Sequence, residues 1–283
     1  MNDGILSNLR ALISERHPLS SPANLRRAHD YLADQYERLG LKVSFHTFRA
    51  FGGSYKNVLG TLHPASSGPR TRRLPVIVAA HYDTVQGSPG ADDNASGLAV
   101  MLEVARRLRE ISTSCEVRFI AMCLEEHNLL GSLAYAASLR DMNEEIAGAI
   151  VLECVGYTSD KIGSQMTPRG LPVAIPTTGD FLGIVGNAAS VRLVKAFEQA
   201  ANREVPELKT VSIVVPGCGE QLPDTRRSDH AAFWDFGYPA VMLTDTANFR
   251  NPHYHRPTDT LETLDLSFIQ TVARSLSAAA LSF

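Results

Sequence analysis

Several features are scarce in this 283-residue chain, and each scarcity excludes a class of protein. No apolar run approaches the roughly 18 residues that a membrane span requires, so a transmembrane protein is not expected. Positive charge is not concentrated anywhere. The 27 Lys and Arg residues are interspersed with 30 Asp and Glu, giving a formal net charge of −3, which argues against a nucleic-acid surface or a polybasic membrane tail. Cysteines number only four and are widely spaced, three of them in or at the end of apolar runs (Cys115, Cys123, Cys154, Cys218). They read as buried small hydrophobes in a reducing compartment rather than as a disulfide framework. The stretch from Met1 to His17 lacks a basic segment followed by an apolar one and a small-residue cleavage site. The expectation is therefore a cytoplasmic protein. Internal repeats and low-complexity linkers are also missing. What remains, at 44% hydrophobic and 20% charged residues, fits one globular domain over 1–283 with a substantial core.

Strand and helix signals alternate along the chain. Helices are expected over Ile5–Glu15, Ala23–Leu39 (opened by Ser20-Ser21-Pro22 and ended by Gly40), Gly97–Glu110, Leu129–Leu139, Val185–Asn202, His230–Phe236 and Leu266–Leu281. Strands are expected over Lys42–Phe48, with Val43, Phe45 and Thr47 on one side, and over Asn57–Leu62, Pro75–Ala80, Glu116–Leu124, Ala147–Leu152, Thr210–Val215 and Tyr238–Thr244. Pro64 to Pro69 reads as a turn-rich connector. The stretches 158–183 and 216–229 are rich in Gly, Pro and polar residues and read as loops, the kind that usually serve function. This alternation implies an α/β/α sandwich around a mostly parallel sheet.

The chemistry gathers where strands end. Val76 to Gly97, VIVAAHYDTVQGSPGADDNASG, starts as a doubly buried strand and then releases His81, Asp83, Asp92 and Asp93 before a helix begins. Three other apolar strands end at Glu125 and Glu126, at Glu153, and at Asp245 ahead of the loop Asn251–His255. In open α/β sheets the crevice beyond the carboxyl ends of strands is the binding site. A lone His-x-Asp or a Glu pair is often only structural. Several carboxylates buried at one rim without a cation would be strongly unfavourable, however, and imidazoles with carboxylates are the donors of a hydrolytic zinc site.

The strings HYDTV, GADDNASG, LEEHNLLGS, VLECVGY, SDHAAFWDFGYPA and YHRPTDTL, in that order over Val76 to Leu264, resemble the di-zinc aminopeptidases of the aminopeptidase Y type. That family also holds glutamate carboxypeptidase, the transferrin receptor and the single-zinc glutaminyl cyclases. The resemblance implies a zinc-peptidase catalytic domain with a mixed central sheet and loop embellishments near 158–183 and 216–227. It implies two zinc ions as cofactors. His81 and Glu153 would be ligands of the first, Glu126 and His255 of the second, and Asp93 would bridge them, being the aspartate directly before Asn. Glu125 would be the general base, and many members carry Asp where this chain has Glu153.

Around that set, Asp83 is expected to accept from the far ring nitrogen of His81, and Asp259 to do similar work near His255. Tyr254 is placed to stabilise an oxyanion or to pack as an aromatic beside the site. Asp92 has no task, and Ser228-Asp229-His230 reads as a helix N-cap. The expected partner is a peptide or aminoacyl substrate. Alternatives on the same fold are a glutaminyl cyclase-like acyltransferase, and a carboxypeptidase or deacylating amidohydrolase using Arg226 or Arg227 for a substrate carboxylate. A non-catalytic interaction domain is the alternative of another class.

Overall fold

The computed structural model describes residues 3–64, 73–111, 113–171 and 173–281. The connector expected from Pro64 to Pro69 therefore lies, beyond its first residue, outside the described residues. Eight strands form one mixed sheet: β1 (Lys42–Ala50), β2 (Gly53–Leu62), β3 (Val76–His81), β4 (Val117–Met122), β5 (Gly148–Glu153), β6 (Leu182–Asn187), β7 (Thr210–Val215) and β8 (Ala240–Thr244). Their spatial order is β1-β2-β4-β3-β5-β8-β6-β7. The central run β4-β3-β5-β8 is parallel, as is β6-β7, while β1, β2 and the β6-β8 pair are antiparallel.

Helices α1 (Asp3–Leu12), α2 (Pro22–Arg38), α3 (Gly97–Glu110), α5 (Val191–Glu204) and α7 (Leu266–Ala280) cover one face of the sheet, and α4 (Leu130–Asp141) and α6 (His230–Asp235) the other. Every residue of β3, β5 and β8 is buried. Period-2 alternation then sends Val76, Val78 and Ala80 into the larger core with α3 and α7, and Ile77 and Ala79 into the smaller one with Tyr135 and Trp234. No helix among the described residues is long and apolar enough to cross a membrane.

Two expectations fail here. The helix expected from Val185 begins at Val191, because Leu182–Asn187 is a strand, β6, between β8 and β7. Its glycines hid it. A Cβ on Gly186 would sit 2.7 Å from Val194 Cγ2, and one on Gly183 would sit 3.2 Å from the Thr244 carbonyl oxygen. Close packing thus selects residues that erase the strand signature. In β1, Phe45 stays 46% exposed while Phe48 is buried. Phe45 stacks on His29 of α2, whereas His46 meets Tyr135 of α4, so this edge strand is part-covered on both sides and has no single inner face.

Candidate metal centre

The carboxyl ends of β3, β4, β5 and β8 converge on a cluster of imidazoles and carboxylates. His81 is the last residue of β3 and Glu153 the last of β5. Glu125 and Glu126 follow β4, and Asp93 lies in the buried, kinked turn Ala91–Ser96, whose Asp93–Asn94 peptide is cis. The two oxygens of Asp93 face different neighbours. Oδ1 is 3.1 Å from His81 Nε2, which also lies 3.5 Å from Glu153 Oε2, while Oδ2 is 3.0 Å from His255 Nε2, itself 3.2 Å from Glu126 Oε2. Two half-sites therefore share one carboxylate. Each set, His81-Asp93-Glu153 and Asp93-Glu126-His255, holds its donor atoms within 4.8 Å of one another. Glu125 Oε2 stands 3.8 Å from His81 Nε2, beside both.

These atoms fit divalent cations. Among the described residues, His81 Nε2, Asp93 Oδ1 and Glu126 Oε1 are buried and make no hydrogen bond, an expensive condition unless a cation accepts their lone pairs. The protonation pattern has the same origin. Burial would lift Asp93, but the facing imidazoles of His255 and His81 hold its carboxyl below the usual range. Burial disfavours the charged rings of His81 and His255, yet the facing carboxylates raise both, His255 to about 10. Burial also raises Glu125 well above the carboxylate range and, with the charge of Asp93, Glu126 to about 7.

The supporting carboxylates act on the backbone. His81 Nδ1 lies 3.2 Å from the Asp83 carbonyl oxygen and 3.7 Å from its carboxylate, so the expected side-chain acceptor is replaced by the main chain. The Asp83 carboxylate instead accepts from the amides of Glu125 (3.0 Å) and Glu126 (3.1 Å), fixing that pair. Asp259 is likewise turned away from the task expected near His255. It accepts from the amides of Asp92 (2.9 Å) and Asp93 (3.2 Å) and so holds the turn that carries Asp93. Asp92 accepts from the Gly156 amide and from Asn251 Nδ2, tying that turn to the segment after β5 and to the loop of His255.

The helix cap expected of Ser228-Asp229-His230 is not formed by a side chain of that string. The Ser228 hydroxyl donates to Glu153 Oε2 at 2.7 Å, and Asp229 precedes α6 without a capping bond from its side chain. The SDH string was visible in the sequence, but a contact 75 residues away was not. Arg16, wholly buried beside the site, carried no signal at all.

An apolar pocket opens from Glu153 and Tyr254 and is walled by Phe181, Val185, Ile213, Met242 and Phe249, with Asp224 and Arg227 among its polar lining. Tyr254 stacks on His255 with ring centroids 3.8 Å apart, and its hydroxyl accepts from Arg227 at 3.3 Å. Arg226 is committed elsewhere, gripping both oxygens of Asp235.

Comparison with known proteins fits this geometry. Residues 57–280 match the model of peptidase family M28. The chain belongs to that family. The uncharacterised protein YfbL of Escherichia coli (strain K12) is 34% identical over 273 residues, which cover 91% of this chain and 80% of that one. The M28 chain also superposes on the structure of BSAP, a zinc aminopeptidase from Bacillus subtilis, with a TM-score of 0.60 and 28% identity, over 81% of this chain and 50% of that one. It spans half or less of the length of several aminopeptidases it matches. The fold alone is shared with Tannerella forsythia glutaminyl cyclase, at a TM-score of 0.70 and 18% identity over 100% of this chain and 99% of that one.

Proposed function

We propose that this M28 peptidase is a two-zinc aminopeptidase that removes N-terminal residues, preferring those with apolar side chains. The observation that carries the reading is Asp93, whose two oxygens face two separate donor sets. His81 and Glu153 would hold one zinc, Glu126 and His255 the other, with Asp93 shared. When bound, the metal pair supplies Lewis acidity toward water and the scissile carbonyl.

The chain's own residues do the rest. Glu125, buried and without a basic side chain closer than His81 at 3.8 Å among the described residues, takes a proton from the attacking water. It then delivers that proton to the leaving amine. Tyr254 stays protonated, because burial and the nearby carboxylates push its hydroxyl far above neutral, and it donates to the developing oxyanion. Ser228 and Asp83 keep Glu153 and the Glu125-Glu126 pair in place. The free α-amine of the substrate meets Glu153 at the pocket mouth, and its side chain enters the apolar pocket.

The experiment is Glu125→Gln together with a substrate panel. The variant should fold and hold wild-type zinc while losing at least about 100-fold in kcat, the usual scale of general base catalysis. Leucyl anilide should be cleaved and its N-acetyl form should not. Equal cleavage of the N-acetyl form would favour an amidohydrolase, cleavage of C-terminal acidic peptides a carboxypeptidase using Arg227, and cyclisation of N-terminal Gln the acyltransferase.

A further inference from the structure

The family match begins at residue 57, yet the metal centre is braced by a cation from far upstream. Arg16, just beyond α1, is 0% exposed. Its acceptors are backbone carbonyls. Nε donates to Tyr82 (2.8 Å), Nη1 to Ser14 (2.8 Å), Pro89 (3.1 Å) and Leu12, and Nη2 to Gly90 (3.1 Å), while its own amide donates to the Thr84 hydroxyl (2.8 Å). Tyr82 directly follows His81, and Gly90 stands three residues before Asp93. The guanidinium thus joins the two ends of the Tyr82–Gly90 loop. At those ends sit the two residues that face each other at 3.1 Å.

The fit is specific for a planar fork. A lysine ammonium offers three donors from one nitrogen and cannot satisfy these five carbonyls, which the three guanidinium nitrogens share. Gly90 permits the approach: a Cβ there would lie 2.8 Å from Arg16 Nη2 and 2.3 Å from the Asp93 carbonyl oxygen. Although burial lowers Arg16 to about 10, the carboxylates of Asp93, Asp83, Asp259 and Glu126 favour its charge, and it is cationic at neutral pH.

We propose that Arg16 is a positioning residue of the metal centre: by clamping both ends of the Tyr82–Gly90 loop it sets the spacing of His81 and Asp93, and with it the affinity of the ion those two residues share. This rests on the two-zinc reading. The N-terminal segment, outside the matched family region, is then part of the site.

The test is zinc affinity of folded protein, measured by chelator competition beside thermal melts, for wild type, Arg16→Lys, Arg16→Ala and Thr84→Val. Both Arg16 variants should weaken one of two ions by about 10- to 100-fold, the range found when groups supporting metal ligands are removed. Millimolar methylguanidinium should restore part of that affinity in Arg16→Ala and none in Glu153→Ala. If Arg16→Ala does not fold, Thr84→Val, which deletes only the acceptor of the Arg16 amide, should still weaken the same ion by about fivefold. Wild-type affinity in the variants, with only the melting temperature lowered, would overturn the proposal. Full affinity in Arg16→Lys would do the same, since charge without the fork would then suffice. Wild-type protein that takes up no zinc would overturn the two-zinc reading itself.

Discussion

Exchanging leucyl anilide for alanyl anilide should lower kcat/KM by about 60-fold. The pocket beside Glu153 is walled by Phe181, Val185, Ile213, Met242 and Phe249, so the three extra carbons of leucine leave water for an apolar lining. At about 0.8 kcal/mol per buried CH₂ the gain is about 2.4 kcal/mol, and 1.36 kcal/mol corresponds to tenfold in rate. A glutamyl side chain would bring a third carboxylate toward Glu153 and Asp224 and should be cleaved poorly. Val211, half-buried on the edge strand β7, also lines this pocket. Filling the space from that side with Val211→Phe should bring the Leu/Ala ratio below about tenfold without unfolding the core. Steady-state kinetics on the two anilides, which share a leaving group, measure the ratio directly. Equal or higher kcat/KM for alanine in the wild type would refute the assignment of this pocket to the substrate side chain.

Further outcomes follow from the same geometry. Metal-free protein should melt at a lower temperature at pH 8.5 than at pH 6. Glu126, Asp229 and Asp259 are pushed up to about 7 from 4.5, 3.8 and 3.8, and His255 to about 10 from 6.5. Each binds a proton in the fold that the unfolded chain has released. The carboxyls' contribution, complete below about pH 4, is lost as pH rises through 7, and that of His255, complete below 6.5, is lost through 10. Melts of chelated protein across that range check the sign, and added zinc should shrink the fall by the share of Glu126 and His255, which bind it deprotonated. Gly90→Ala should destabilise the fold by about 2 kcal/mol or more and weaken zinc binding. Gly90 has φ +62° and its Cβ would lie 2.4 Å from Thr84 Cγ2; denaturant unfolding measures the first effect and chelator competition the second.

The parts of this site that could be read from the chain are those written locally. β3, β5 and β8 are buried on both faces, so their sequences are plain apolar runs, and the polar residue that ends each run marks the rim of the sheet. His81 and Glu153 were visible for that reason, and Glu125 and Glu126 because they follow the nearly fully buried β4 in the same way. What stayed hidden depends on distant contacts. Arg16 reaches carbonyls 66 to 74 residues away, and Ser228 meets Glu153 across 75. Asp83 and Asp259 are side chains whose partners are amides, and amides carry no sequence signal. β6 was lost because packing against β8 and α5 requires glycine at 183 and 186, the residue type that weakens a strand pattern.

The shared carboxylate of Asp93 is the centre of the whole arrangement, and zinc stoichiometry tests it most directly. Chelated protein titrated with zinc should bind two ions per chain, with activity completed by the second. Glu153→Ala and His255→Ala should each retain one, and Asp93→Asn should lose tight binding of both. One zinc per chain at full activity, or two retained in Asp93→Asn, would contradict the bridging role and with it the two-metal site.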